Sequence, residues 1–197
     1  MKKTWKEILM PTVVLTAVTL IVSAALVFTY NGTKVEQVGD LSNEALAASQ
    51  TLFSNSEEFA TIDVPEGLDE RIHTIILPDG DDAIGFEIEL KGYKTGLVLV
   101  VGIRLDGTIL GYEVAESSET PGLGTQVAEA DFKDQFQDKP ASTLVAVKGK
   151  ANADNEIVAI SGATISSKAV IEGVNLAVDS FDEVSKMVKE AGNDESN

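Results

Sequence analysis

Seven consecutive residues, Ser161-Gly162-Ala163-Thr164-Ile165-Ser166-Ser167, set four hydroxyls beside two of the smallest side chains. They lie between a strand-like stretch, Ile157 to Ile160, and a long apolar periodicity that begins at Ile165. Small and hydroxyl residues commonly open helices, because their oxygens accept the free amides of the first turn. The same place suits a second chemistry, since helix N-termini present unpaired N–H groups and a positive dipole end that attract phosphate. Gly162 and Ala163 would let a phosphate come close to the backbone. Neither a GxGxxG pattern nor a lysine-bearing phosphate loop is present, so a freely exchanging nucleotide is not indicated. A second segment, Glu119-Thr120-Pro121-Gly122-Leu123-Gly124, reads as a Pro-Gly type II turn in which Gly122 takes positive φ. It also reads as a stiff loop shaped against a flat ligand, with glycines permitting close approach and Leu123 giving an apolar contact.

Composition narrows what those segments can do. The 197 residues include no cysteine, which excludes disulfides, thiolate zinc sites, cysteine-ligated iron–sulfur clusters and cysteine nucleophiles. His73 is the single histidine, so no histidine metal cluster forms, and Asp79, Asp81 and Asp82 lack the ordered spacing of a calcium loop. Neither a catalytic residue nor a metal ligand is assigned. With 15 basic against 32 acidic side chains the formal charge is -17, which argues against nucleic acid as a partner. The chemistry must come from carboxylates, hydroxyls, backbone amides or a borrowed cofactor.

The charge also orders the chain. Lys2, Lys3 and Lys6 precede an almost wholly apolar run from Leu9 to Phe28, and no charged side chain lies between Glu7 and Lys34. Crossing about 30 Å of hydrocarbon takes roughly 20 helical residues, so residues 1–30 are predicted to be a cytoplasmic N-terminus and one transmembrane helix in contact with lipid. A cleaved signal would have a shorter apolar core ending in a small-x-small site, whereas Ser23-Ala24-Ala25 runs on into Leu26-Val27-Phe28. The preceding lysines place the N-terminus in the cytoplasm and the rest of the chain on the outer side of the cell (inner) membrane, as a single-pass protein.

Residues 31–40 read as a polar linker, 41–192 as one domain and 193–197 as a frayed tail. Leu41, Leu46 and Phe53 suggest a helix over 41–54, and Ile72, Ile75 and Ile76 a short strand after the break at Pro65 and Gly67. Ala83 to Leu90 alternates, Leu97 to Arg104 is a β-branched run, and Thr108 to Val114 returns after the Asp106-Gly107 turn, which predicts a three-stranded antiparallel meander. Phe132 and Phe136 suggest a helical turn, and Leu144 to Val147 another strand. From Ile165, apolar residues at Val170, Val174, Ala177, Phe181, Val184 and Val188 predict an amphipathic helix of about six or seven turns docked on the sheet. The fold class is α+β.

The pairing of ETPGLG at 119–124 with SGATISS at 161–167, behind one N-terminal membrane helix, resembles the G subunit of the Rnf electron-transport complex. It is similar, more distantly, to the C subunit of the sodium-pumping NADH:quinone oxidoreductase; both carry an FMN-binding domain. The resemblance covers essentially the whole chain, including Lys91-Gly92-Tyr93 before the strand at 97–103. It implies a flavoprotein subunit of an ion-translocating ferredoxin:NAD+ oxidoreductase, beside the other membrane and iron–sulfur subunits, that relays electrons through FMN. In that family a flavin transferase joins FMN through its phosphate to the threonine of the SGAT motif, which in this sequence is Thr164. Ser161, Gly162, Ala163, Ile165 and Ser166 would line the phosphate arm; Glu119, Thr120, Gly122, Leu123 and Gly124 would approach the ring system. Tyr93 and Tyr112 are further candidates for the ring, although strand tyrosines commonly pack at core edges. Two positions depart from the family pattern: Val158 stands where an aspartate six residues before the threonine is usual, and Ser117 where a histidine often precedes ETPGLG by two. Alternative readings are a stand-alone anchored FMN protein for extracellular electron transfer and a flavin-free anchored sensor or scaffold.

Overall fold

The computed structural model describes residues 41–194, together with Val13, Leu15 and Thr16, which are helical. The rest of the span expected over Leu9 to Phe28, the linker 31–40 and residues 195–197 lie outside the described residues. Among the described residues no helix is long and apolar enough to cross a membrane. The chain divides into two units, Met1–Glu36 and Gln37–Asn197, and the second holds everything below.

Helix α1 (Asn43–Leu52) begins where the Ser42 hydroxyl accepts the Ala45 N–H at 3.0 Å. Five antiparallel strands follow in chain order: β1 (Phe59–Ile62), β2 (Ile72–Pro78), β3 (Ala83–Lys91), β4 (Thr95–Arg104) and β5 (Ile109–Glu116). The expected three-stranded meander forms β3, β4 and β5, one end of a five-stranded one, and the short strand expected around Ile72 to Ile76 joins it as β2. The additional partner of β2 is β1, whose four residues, Phe-Ala-Thr-Ile, are too short and too little alternating to stand out in the sequence. After a short 3-10 turn (Gly124–Ala128) come α2 (Ala130–Lys133), a two-stranded parallel ribbon of β6 (Val145–Val147) and β7 (Glu156–Val158), and α3 (Thr164–Asp194). At 31 residues α3 is longer than expected, and it enters the segment expected to be a frayed tail by two residues.

Alternation decides what each face of the sheet meets. Ile84, Phe86, Ile88 and Leu90 of β3 and Leu97, Leu99, Val101 and Ile103 of β4 are buried against Val170, Val174, Ala177 and Val184 of α3. The opposite face receives α1 through a glycine row. Gly85, Gly102 and Gly111 are register partners across β3, β4 and β5, and the fully buried Phe53 ring lies over the first two. A Cβ on Gly102 would stand 3.0 Å from that ring, and one on Gly85 3.1 Å. Each glycine is therefore a vacancy cut for one aromatic. Gly102→Ala forces the ring and α1 outward, with an expected loss of about 1–3 kcal/mol in urea unfolding.

Glu87 is buried on the α1 side of β3. Burial pushes its carboxyl above the usual range and Glu116 adds to this, while the Thr74 hydroxyl and His73 offset part of it. The folded state thus keeps a proton that the unfolded chain releases above about pH 4.3, and stability falls as pH rises towards the raised value. Glu87→Gln is expected to raise the urea midpoint at pH 8, and the gain should vanish below about pH 4, where both states are protonated.

Candidate functional site

The end of β5 delivers the first wall of a cleft. Leu123 N–H closes a turn onto Thr120 C=O at 3.1 Å, with Gly122 at a φ of 74°, which is the type II geometry expected of Pro121-Gly122. The Gly122 N–H is held by Thr125 Oγ1 at 3.0 Å, so the loop is stiff and Leu123 is left exposed at its corner. The second wall is the entry to α3. Ala163 N–H bonds Ile160 C=O at 3.1 Å, and Gly162 takes a φ of 84°, turning the chain into the helix. The first helical bond runs from Ser167 N–H to Ala163 C=O at 2.9 Å. Before it, the N–H groups of Thr164, Ile165 and Ser166 meet no protein acceptor among the described residues. These are the orphan donors of a helix start, open to an anion.

Glu119 joins the two walls. It is buried, yet neither carboxylate oxygen is free: Oε1 accepts Lys94 N–H at 3.0 Å, and Oε2 accepts the Ser166 hydroxyl at 2.6 Å. One side chain therefore ties the β3–β4 turn, the ETPGLG turn and the first turn of α3. Two glycines admit it, since a Cβ on Gly92 or on Gly124 would stand 2.3 Å from Oε1 or Oε2 respectively.

The resulting cleft measures about 560 Å³, within the range of small-molecule and cofactor pockets. Glu119, Thr120, Leu123 and Gly124 line one side; Gly162, Ala163, Thr164, Ile165 and Ser166 line the other. Ser161 and Gly122, also singled out from sequence, are exposed beside it and do not line it. Tyr93 is exposed and contributes to the lining. Tyr112 does not; it is a core residue whose hydroxyl donates to Val127 C=O at 2.5 Å and whose ring meets Phe136 edge-on at 5.0 Å. Sequence reasoning did not find Ser167, fully buried, whose hydroxyl accepts Ile160 N–H at 3.0 Å and donates to Ala163 C=O at 2.9 Å. Its only sequence signal was membership of the hydroxyl run. His73 is exposed, 3.6 Å from Glu89. Asp79 and Asp81 accept the backbone amides of Asn55, Glu57 and Glu58 and so fix the chain between α1 and β1.

Residues 92–179, which include the stiff turn, the open helix start and the cleft between them, match the FMN-binding domain family. The chain is 41% identical over 102 residues to the G subunit of the proton-translocating ferredoxin:NAD(+) oxidoreductase complex of Clostridium ljungdahlii, covering 51% of this chain and 55% of that one. It therefore spans little more than half the length of that relative. Over 181 residues it is 30% identical to the G subunit of the ion-translocating oxidoreductase complex of Methanosarcina acetivorans, covering 88% of this chain and 94% of the other. The chain belongs to this family of complex G subunits. In fold it is similar to Shewanella oneidensis NqrC, with a TM-score of 0.50 and 21% identity over 77% of this chain and 78% of that one.

If Glu119 holds the walls together, its removal should loosen them. Glu119→Ala leaves the Lys94 N–H and the Ser166 hydroxyl without their acceptor, at an expected cost of about 1–3 kcal/mol for each group that stays buried. Glu119→Gln keeps both contacts possible, because Ser166 can turn to accept, and should cost less. Thermal unfolding of the two variants side by side checks the order.

Proposed function

We propose that this chain is the FMN-carrying G subunit of an ion-translocating ferredoxin:NAD+ oxidoreductase of the Rnf type, and that its FMN is joined by a phosphoester to Thr164. One observation carries the attachment: Thr164 is the first residue of a 31-residue helix, half-buried in the cleft wall, and it leads the three amides without a protein acceptor. A phosphate on its Oγ keeps one negative charge, and those N–H groups with the helix dipole are placed to stabilise it. The cleft's size and its mixed lining of hydroxyl, backbone and apolar side chains fit the group.

Bound FMN supplies the electron-transfer chemistry, for which this cysteine-free chain has no group of its own. The residues provide place and surroundings. Gly162 and Ala163 keep the backbone low where the phosphate arm lies, flanked by Ser161, Ile165 and Ser166. Leu123, Tyr93 and Thr120 offer apolar and edge contacts to a flat ring; Gly122 and Gly124 let the turn approach it. Glu119, with both oxygens engaged, acts by holding the walls at their spacing rather than by touching the ring.

The rest of the proposal follows from the sequence and the relatives. Residues 1–30 are a cytoplasmic N-terminus and a single membrane-spanning anchor in lipid, 31–40 a linker, and 41–192 the FMN domain on the outer side of the cell membrane. The anchor reading rests on the uncharged run from Leu9 to Phe28 preceded by three lysines. The partners are other subunits of the same complex, as the relatives' names suggest; its membrane and iron–sulfur subunits, and a flavin transferase for maturation, are taken from the resemblance of the ETPGLG and SGATISS motifs.

Coexpression of the full chain with a flavin transferase should give a band that fluoresces on a denaturing gel, and Thr164→Ala should abolish it. Mass spectrometry of the tryptic peptide 151–168 should show the added mass. Fluorescence that persists in Thr164→Ala would refute the attachment site.

A further inference from the structure

We propose that Gln135 is a positioning residue for attachment at Thr164; this rests on the reading above and adds a residue outside the cleft. The strand that leads into the attachment turn is half of a ribbon only two strands wide. In a parallel pair the bonds of one residue go to the neighbours of its partner, and so Ala159 N–H reaches Val147 C=O at 2.9 Å. The N–H and C=O of Val158 point the other way, where no strand stands among the described residues. Gln135 fills that edge with its side-chain amide: Oε1 accepts Val158 N–H at 2.8 Å, and Nε2 donates to Val158 C=O at 3.3 Å. The two backbone groups dictate which end of the amide carries oxygen.

Gln135 is itself held firmly. It follows α2 between Phe132 and Phe136, both buried, whose rings meet edge to face at 5.4 Å. Beyond the amide lies an open hollow of about 510 Å³ bordered by Glu129, Asp131 and Ile160, so no other element stands ready to take its place. Val158 precedes Thr164 by six residues. From there the chain is tied at three points: Val158 by Gln135, and Ile160 and Ala163 by the Ser167 hydroxyl. Between and after these ties stand the exposed Ser161 and Gly162 and the half-buried Thr164. Gln135 touches neither the acceptor hydroxyl nor the cleft. It fixes the strand from which the acceptor turn is hung, and so it sets how often Thr164 is presented in the geometry a transferase can use. The other edge of the ribbon provides an internal comparison. There Asn175 makes the same pair of bonds with Leu144, accepting its N–H at 2.8 Å and donating to its C=O at 3.0 Å, but Leu144 does not lead into the attachment turn.

The test uses the full chain, coexpressed with a flavin transferase, and follows in-gel fluorescence per unit protein over time. Gln135→Glu sets an oxygen against Val158 C=O, Gln135→Leu removes both bonds, and Asn175→Leu removes the equivalent pair elsewhere. Losing a bond of this kind is expected to slow labelling about tenfold in both Gln135 variants and to speed exchange of the bonded amides of Ala159, Ile160 and Ala163 by about the same factor. Exchange in β3 and β4 should stay at its wild-type level, and Asn175→Leu should label within about twofold of wild type at a comparable loss of thermal stability. Wild-type labelling rates in folded Gln135 variants would overturn the proposal. So would slow labelling without faster exchange at Ala159, Ile160 and Ala163, or an equal slowing in Asn175→Leu. A wild-type chain that stays colourless, or Thr164→Ala that still fluoresces, would instead overturn the attachment reading, and with it the positioning role of Gln135; the exchange measurement reports the clamp in either event.

Discussion

A carboxylate taken out of water must have its lone pairs met, and the geometry of the cleft follows from how Glu119 meets that demand. Its two oxygens find one backbone amide from the β3–β4 turn and one hydroxyl from the first turn of α3. Neither donor is charged, so the contact depends on position alone, and three separate segments must arrive within hydrogen-bond distance at once. Gly92 and Gly124 are the counterpart of this requirement. Any side chain at either position would occupy the space of a carboxylate oxygen. The sequence ETPGLG is therefore two devices in six residues: a stiff turn that presents Leu123, and at its ends a glutamate and a glycine that close the joint to the helix.

That joint needs a rigid frame, which the sheet and its two covering layers supply. Gly85 of β3 and Gly102 of β4 let Phe53 sink into one face, while the alternating apolar side chains of β3 and β4 bury α3 on the other. Once α3 is docked along much of its length, its start cannot drift, and the positions of Thr164 and Ser166 are fixed from behind. A helix with a freely moving first turn would scatter its unpaired amides; this one holds them at the cleft edge. The Ser167 hydroxyl adds the last constraint by tying Ile160 and Ala163 across the turn.

Much of this was legible in the sequence because the signals are local. Period-two alternation over Ala83 to Leu90, the Asp106-Gly107 turn and the three- and four-residue spacing from Val170 onward are properties of a few adjacent residues. The Pro121-Gly122 turn and the helix entry at Ser161 to Ser167 could be read in the same way. What could not be read is whatever depends on residues meeting from far apart. Nothing local marks β1 as the partner of β2, nor Gly85 and Gly102 as the floor under Phe53, nor Asp81 as the acceptor of the Asn55 amide. Tyr112 shows a reading that the sequence left between two alternatives, ring contact and packing at the core, of which the structure has the second. A strand tyrosine beside a suspected ring site was a fair candidate for contact, but the side of the strand it occupies is set by the bulged register of β5, and that side is the core.

Charge explains why such a site suits a tethered ligand better than an exchanging one. The chain carries a formal charge of -17, and among the described residues lining the cleft none is basic. A free phosphate would approach against the field of the whole protein, with only backbone amides and a helix dipole to receive it. A helix terminus contributes about 0.3–1 kcal/mol towards an exposed anion, far short of the roughly 8 kcal/mol that micromolar affinity requires. Ring contacts with Leu123 and Tyr93 can supply part of the difference, but both side chains are exposed and the cleft is open on that side. On the proposed attachment, the bond to Thr164 removes the need for affinity altogether. The same weak, well-aimed donors then serve a different purpose: they do not capture the phosphate but orient one that cannot leave, and the absence of lysine and arginine from the lining ceases to be a defect.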